Sequence, residues 1–354
     1  MLTKNEITEL LKSTDPSAIE ALRKRAYATM SEHVGETVYY RGIIELSNIC
    51  SRDCLYCGIR AGNRTVNRYV LDNSEALQIA LWCARQGYGS IVIQTGERHD
   101  ARSIDTIVSL VSEIKRQTTS ETLPNGLGIT LSLGELSIDD YRRLRDAGAH
   151  RYLLRIETSS KALFERLHPA KQTFERRLQA LSDLRTAGFQ VGTGVMIGLP
   201  GQSEEMLADD VLFFKSMDVD MVGMGPFIPH KDTPLAGADI LPDQRRLSLA
   251  LQMIAVTRLV CPDINIASTT ALQAIVPDGR ERGLTFGANV TMPNLTPTRV
   301  RKDYTLYDGK PCLEESRTEC RTCLQRRVES TGRKVGFDEW GDAPHVRRRL
   351  GEGA

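Results

Sequence analysis

The chain has 354 residues, 41% of them hydrophobic, with 46 Lys+Arg against 45 Asp+Glu and a formal charge of +1. That is enough apolar material for an α/β barrel, which often runs to about 250 residues or more as one unit. The charge balance offers no one-signed field for nucleic acid, no apolar run reaches the roughly 18 residues of a membrane span, and the charged start MLTKNEITELLK lacks the apolar core of a secretory signal.

Two helices are expected first, over residues 1–37, packing on the body that follows. Thr3 with Glu6 fits a capping box, and Asp15-Pro16 fits an N-cap with Pro at the first helical position. From residue 38 the apolar runs VYYRGIIELSN, GSIVIQTGE, LGITLSLG, RYLLRIE, FQVGTGVMIG, VDMVGMGPF, DINIAST and FGANVTMP read as buried parallel strands. Amphipathic segments alternate with them. In NSEALQIALWCARQGYG, Leu77, Ala80, Leu81 and Ala84 fall at i, i+3, i+4 and i+7, and Gly87 suits the C-cap. SIDDYRRLRDAG, FERRLQALSDLRTAG, EEMLADDVLFFKSM and PDQRRLSLALQMIAVTRLV behave alike. Eight strand–helix units predict a closed (β/α)8 TIM-type barrel over residues 38–300, with functional groups at the C-terminal ends of its strands. Residues 301–354 read as a polar appended segment, with Arg347, Arg348 and Arg349 as a solvated tail.

Just past the first strand stands NICSRDCLYCGIR, which places Cys50, Cys54 and Cys57 at C-x3-C-x2-C spacing on a polar loop. A cytoplasmic chain keeps its thiols reduced, so such a group reads as metal ligands rather than disulfides. Structural zinc usually takes four ligands. A cubane iron–sulfur cluster held by three thiolates keeps one iron open to a small molecule. Cys83, in a helix, and Cys261, at a helix end, read as core thiols.

At these residues the chain resembles the radical S-adenosylmethionine (SAM) enzymes, whose signature is this triplet with an aromatic, here Tyr56, before the last cysteine. The resemblance implies a [4Fe-4S] cluster on Cys50, Cys54 and Cys57 that chelates SAM and reduces it to a 5′-deoxyadenosyl radical. Tyr56 then either packs or contacts adenine. Gln94, Thr95, Gly96 and Glu97, at the end of the second strand, look like the motif that holds the SAM amino group, with Thr95 where that motif has a glycine. Arg155 and Glu157, at the end of the fourth strand, alternate onto one side and read either as a buried ion pair or, by resemblance, as substrate and SAM contacts. Arg177 matches an arginine that grips the SAM carboxylate, with Arg176 as its alternative register. The Gly-Leu-Pro-Gly turn after the fifth strand fits the same superfamily.

The blocks ELSNICSRDCLYCGIR, GVMIGLPGQ, VDMVGMGPFIPHKDTPLA, ASTTALQAIVPDGRERGLTFGANVTMPNLTP and CLEESRTECRTC resemble the HydE-type branch, the radical SAM maturases of [FeFe]-hydrogenase, over about residues 38–340. What this implies is specific. Cys312, Cys320 and Cys323 would form a second, auxiliary iron–sulfur site. The substrate would be a small iron–cysteine organometallic unit inside the barrel, held by Arg155, Thr269, Thr270, Met292 and Tyr307, with Arg155, Met292 and Tyr307 nearest the chemistry. Tyr304 and His230 are further wall candidates, and Arg41 would add positive charge beneath the cluster. Partners would be other hydrogenase-maturation proteins and a low-potential electron donor, with no nucleic acid and no membrane. Two rivals remain. One is another radical SAM reaction, an amino-acid mutase such as methylornithine synthase or a biotin synthase-like sulfur insertion. The other is a non-catalytic iron–sulfur carrier, which needs no SAM-shaped cavity.

Overall fold

Capping chemistry starts the chain as expected. In the computed structural model, which describes residues 2–351, α1 (Lys4–Lys12) opens where the Thr3 N–H donates to Glu6 Oε2 at 2.7 Å and the Glu6 N–H donates to Thr3 Oγ1 at 3.3 Å. Asp15 caps α2 (Pro16–His33) by accepting from the Ser17 and Ala18 N–H groups. The strands are β1 (Thr37–Tyr40), β2 (Gly42–Ser47), β3 (Ser90–Thr95), β4 (Gly128–Ser132), β5 (Arg151–Leu153), β6 (Gln190–Thr193), β7 (Met196–Ile197), β8 (Met221–Pro226), β9 (Asn265–Ser268), β10 (Val290–Thr291) and β11 (Lys334–Gly336). Among them run α3 (Asn73–Arg85), α4 (Ala101–Gln117), α5 (Ile138–Asp146), α6 (Lys161–Leu167), α7 (Phe174–Thr186), α8 (Glu204–Ser216), α9 (Asp243–Val260), α10 (Thr270–Ile275), α11 (Gly279–Thr285), α12 (Thr298–Arg301) and α13 (Arg317–Glu329), with α14 (Pro344–Leu350) last.

All strand pairs are parallel, in the order β11-β1-β10-β9-β8-β6-β5-β4-β3-β2. β1 and β2 are halves of one run broken at Arg41, so the strands from β1 to β2 in this order form a ring, with β11 added outside it on β1. Closure follows from its two edges. β2 pairs with β3, while the Arg41 and Ile43 N–H groups donate to the carbonyls of Thr291 and Pro293, at 2.9 and 2.8 Å. The result is a (β/α)8 barrel. Its strands are buried on both faces, which is why they read as apolar runs without alternation.

Several expectations are corrected. The fifth run splits into β6 and β7 on either side of Gly194, which lies so close to β8 that a Cβ would strike the Gly223 carbonyl. On α3 the buried face is Ala76, Ile79, Ala80 and Cys83; Leu77 and Ala84 lie beside it and are only partly buried. Gly87 does follow the helix with φ +77°. Helix α4 lies outside the segments expected to be helical.

The polar C-terminal segment is built into the barrel. β11 pairs with β1 at the foot, and residues 340–342 fill the N-terminal opening. Arg151, 1% exposed, donates from Nη1 to the Trp340 carbonyl at 2.9 Å and to Asp342 Oδ1 at 2.5 Å. Arg41 and Asn265 both donate to the Gly341 carbonyl, at 3.2 and 2.8 Å. Arg41 is therefore part of this plug, since a side chain at the start of a parallel strand points into the foot and not toward the strand ends. The arginine tail is solvated in part: Arg347 and Arg348 are exposed, whereas Arg349 is half-buried. Arg348 pairs with Asp263 at 3.0 Å and Arg349 bonds Asp220, which anchors α14 under the barrel.

Candidate active site

With the foot filled, the strand C-termini face a cavity of about 350 Å³. The three-cysteine loop forms part of its wall: Cys50, Cys54 and Cys57 all line it. The loop is held from both ends. Arg68 donates to the carbonyls of Asn48, Ile59, Arg60 and Asn63, at 2.7, 2.8, 2.6 and 3.1 Å. Asn48, fully buried, donates to the Asn67 and Asp303 carbonyls, each at 2.7 Å. On the β3 side the approach is closer still. A methyl group on Gly96 would lie 2.4 Å from the Ile49 carbonyl and 2.8 Å from Cys50 Cβ. The N–H groups of Arg52 and Glu97 both point at Cys50 Sγ, at 3.4 Å.

Helix α6 braces the opposite side. The Leu55 N–H donates to the Leu167 carbonyl at 2.9 Å. Tyr56 stands edge-on to His168 with ring centroids 5.5 Å apart, and its hydroxyl lies 3.1 Å from Nε2. Burial and the nearby Arg177 charge push His168 down to about 3, so its ring is neutral. His168 Nδ1 then donates to the Phe164 carbonyl at 2.8 Å, and Nε2 accepts from Tyr56.

The charged groups of the cavity form a network. Glu97, 7% exposed, pairs with Arg52, and His99 Nε2 lies 3.1 Å from its carboxylate. Burial pushes its carboxyl up, but the His99 and Arg52 bonds outweigh that and the net shift is downward. Arg177, not Arg176, lines the cavity. Arg177 is buried, donates from Nε to Glu135 Oε1 at 2.7 Å and bonds the Arg155 carbonyl; Arg176 points out to Asp183 and the Leu136 carbonyl. Arg155 and Glu157 do meet, at 3.0 Å. They do so past the end of β5, with Glu157 at φ +66°, so the two-residue strand period is not what aligns them. Burial raises the Glu157 carboxyl, partly offset by Arg155 and Arg177. Its Oε2 is the oxygen that Arg155 Nη2 meets, while the buried Arg155 Nε has no hydrogen-bond partner.

Across the cavity, Thr269 Oγ1 donates to the Met224 carbonyl at 3.2 Å and Thr270 Oγ1 shares a hydrogen bond of 2.8 Å with the Tyr307 hydroxyl. Gln94, Thr95, Met292 and Tyr304 line the same space. His230 does not; it packs behind the loop, where a Cβ on Gly58 would meet its ring at 2.5 Å. Cys312 reaches the cavity wall, while Cys320 is buried behind it and Cys323 opens onto a separate surface groove with Pro277 and Arg326. The Cys320 thiol donates to Cys312, and with Arg280 nearby this draws the Cys312 thiol down to about 6. The three are thus only partly gathered. Cys83 and Cys261 are buried in the core.

The residues missed in sequence are those tying the network together: Glu45, Arg52, Glu135, His168, Arg280 and Lys310. Glu45 carried a usable signal, a lone charge inside the apolar run GIIELS. The others sit on loops or helices with no periodicity to betray them.

The donor set suits an iron–sulfur cluster with SAM. Among the described residues no group of three or more ligating side chains is gathered to hold a single metal ion. Burial pushes the Cys54 thiol up to about 12, with Cys50 adding to it, and raises Cys57 further. Three half-buried thiols on one cavity wall, each raised in this way, stay protonated on their own, and a metal centre is what draws such protons off. The Glu157 carboxylate, buried and ion-paired to Arg155, adds an acceptor facing the same cavity.

Comparison with known proteins is consistent with this geometry. The Radical SAM superfamily model matches residues 44–214. The chain is 43% identical over 344 residues to the [FeFe] hydrogenase maturase subunit HydE of Thermotoga maritima, covering 97% of this chain and 94% of that protein. It is 27% identical to 3-methylornithine synthase of Methanosarcina barkeri, covering 94% of this chain and 90% of that protein. Among solved structures, methylornithine synthase superposes with a TM-score of 0.79 at 24% identity, covering 96% and 95% of the two chains. The hydrogenase maturase HydG superposes with a TM-score of 0.77 at 19% identity, covering 100% of this chain and 75% of that one. At those identities the two structures speak for the fold alone.

Proposed function

This chain belongs to the radical SAM superfamily and, within it, to the HydE maturases of [FeFe]-hydrogenase, and on that premise we propose how its residues divide the work. The family implies a [4Fe-4S] cluster and SAM as cofactors and a small-molecule substrate. When bound, the reduced cluster and SAM supply a 5′-deoxyadenosyl radical; the protein's part is to hold, orient and shield. The observation that carries the reading is the loop of Cys50, Cys54 and Cys57 on the wall of a closed-foot cavity shared with the buried Glu157 carboxylate.

Cys50, Cys54 and Cys57 would ligate the cluster, with the Arg52 and Glu97 N–H groups stabilising the Cys50 sulfur. Gln94, Thr95, Gly96 and Glu97 would meet the SAM amino group, Glu157 its hydroxyls or amine, and Arg177 its carboxylate. Tyr56, fixed by His168, would pack on the nucleoside side. Arg155, Thr269, Thr270, Met292 and Tyr307 would line the substrate, a cysteine-bound iron carbonyl–cyanide unit. Cys312, Cys320 and Cys323 would hold an auxiliary iron–sulfur cluster that the chemistry does not need. A low-potential electron donor and other maturation proteins would be its partners. A reducing, cytoplasmic setting suits so many free thiols; among the described residues no helix is long and apolar enough to cross a membrane.

Product analysis separates this reading from its rivals. The loaded enzyme is incubated anaerobically with SAM, a reductant and, in turn, a synthetic iron–cysteine carbonyl–cyanide complex, lysine and dethiobiotin. We expect only the iron complex to accelerate 5′-deoxyadenosine formation and to be consumed. Turnover of lysine or dethiobiotin instead would assign the chain to a mutase or a sulfur insertion.

A further inference from the structure

Cys50, Cys54 and Cys57 line one cavity wall, but their sulfurs have different neighbours. Cys50 Sγ faces the N–H groups of Arg52 and Glu97, both at 3.4 Å, and the Ile59 N–H stands at Cys57. Cys54 has side chains instead, Tyr56 and Gln172. The Tyr56 hydroxyl has a single proton, and that proton is committed to His168. Nδ1 of the His168 ring donates to the Phe164 carbonyl at 2.8 Å, which leaves Nε2 to accept from Tyr56 at 3.1 Å. Of these two neighbours, Gln172 is the one with N–H groups left to give.

Gln172 stands between α6 and α7 and is 3% exposed. Its backbone is fixed where its N–H donates to the Pro169 carbonyl at 2.8 Å, and its side chain lines the cavity. Among the described residues the amide has one hydrogen-bond partner, Cys54, whose Sγ lies 3.5 Å from Oε1. That is nearly the range at which Cys50 meets its two N–H groups. Here the thiol donates. A thiolate has no proton to give, so once Cys54 ligates a metal the amide oxygen would face a negative sulfur. The two ends of the amide exchange by half a turn about a terminal torsion with a broad, two-fold preference, and that half-turn brings Nε2 to the sulfur as a donor. Hydrogen bonds to cluster sulfurs set the potential, and a donor favours the reduced state, which carries the extra negative charge. We propose that Gln172 donates to the Cys54 thiolate and raises the reduction potential of the cluster, so that the cluster takes up its electron more readily. This rests on the reading of Cys50, Cys54 and Cys57 as cluster ligands and adds a residue that sets how easily the cluster is reduced.

The test is an anaerobic redox titration of the reconstituted holoprotein, followed by the electron paramagnetic resonance of the reduced cluster. The signal counted is the one that shifts when SAM is added, which separates it from any auxiliary cluster. Iron content and SAM affinity are measured on the same preparations. Gln172→Met keeps the length of the side chain and removes the donor. At the potential that half-reduces wild type, its ratio of reduced to oxidised cluster is expected to be about tenfold lower, equivalent to about 59 mV for one electron, with iron content unchanged. Gln172→Lys, which keeps an N–H donor, should stay at or above the wild-type ratio. The proposal is overturned if Gln172→Met titrates with wild type. It is equally overturned if both variants fall alike, or if neither loads iron, either of which would assign Gln172 to the packing of the loop. Weaker SAM binding by Gln172→Met at an unchanged potential would make Gln172 a SAM contact and overturn it as well. A wild type with no SAM-sensitive signal would strike the cluster reading itself and this inference with it, whereas the other outcomes leave that reading standing.

Discussion

Gly96 shows how much of the site turns on one residue. It lets the end of β3 touch the cysteine loop, and a Cβ there would lie 2.4 Å from backbone and 2.8 Å from Cys50 Cβ. Neither neighbour is a flexible side-chain tip, so the loop itself must move. Gly96→Ala is therefore expected to fold but to retain less than about half of the wild-type cluster iron, since ligands displaced by an ångström lose affinity steeply. Iron and sulfide assays after anaerobic reconstitution check this; wild-type loading would show that the contact is soft. At this scale the sequence was informative where chemistry is written in spacing. That the cysteine triplet shares one cavity wall was legible because its members are adjacent in chain. The salt-bridge web of Arg52, Glu97, Glu135 and Arg177 was not, because its members come from four separate segments. The Arg155–Glu157 pair was read for the wrong reason, as strand alternation, when a left-handed residue creates it.

Helix α6 is the element on which the loop leans. Its far end meets Leu55 and Tyr56, and its near end is tied by Asp210 of α8. The N–H and hydroxyl of Ser159 both donate to Asp210 Oδ1, at 2.6 Å. Burial pushes the Asp210 carboxyl up to about 7 from an ordinary 3.8, against the Ser159 bonds, and Asp209 adds to the rise. A raised carboxyl means that the folded chain keeps a proton the unfolded chain has already released. Its contribution to stability is thus complete below about pH 4 and shrinks as pH climbs toward 7. Asp210→Asn keeps the acceptor oxygen and removes the titration. The melting temperature of the variant relative to wild type should rise between pH 4 and 7 and level off above. Parallel curves would show that Asp210 is not carrying this proton. None of this was readable in sequence. α6 is short, its segment gave no strong period, and Asp210 sits on a helix whose other acids are solvated.

At the scale of the whole molecule the barrel was legible because parallel strands buried on both faces announce themselves as apolar runs. What was not legible is how the C-terminal segment returns to β1 and stoppers the foot, since polar sequence carries no sign of the arginines that wait for it. Burial opposes the charge on Asp342, yet Arg151 and His150 hold its carboxyl far below the usual range. Stability from that pair is present above about pH 4 and lost as pH falls further. Asp342→Asn leaves Arg151, 1% exposed, without its counter-charge, and should cost about 3 kcal/mol in denaturant unfolding at pH 7, with the deficit narrowing in acid. A deficit unchanged at low pH would contradict the charge argument. All of these devices serve one arrangement, three cysteine thiols presented to a cavity closed at its foot. The measurement that tests it most directly is 5′-deoxyadenosine production from SAM by the anaerobically reconstituted, dithionite-reduced protein, beside the same preparation of Cys54→Ser. The account expects product from wild type and essentially none from the variant. No product from wild type, or equal product from both, would contradict it.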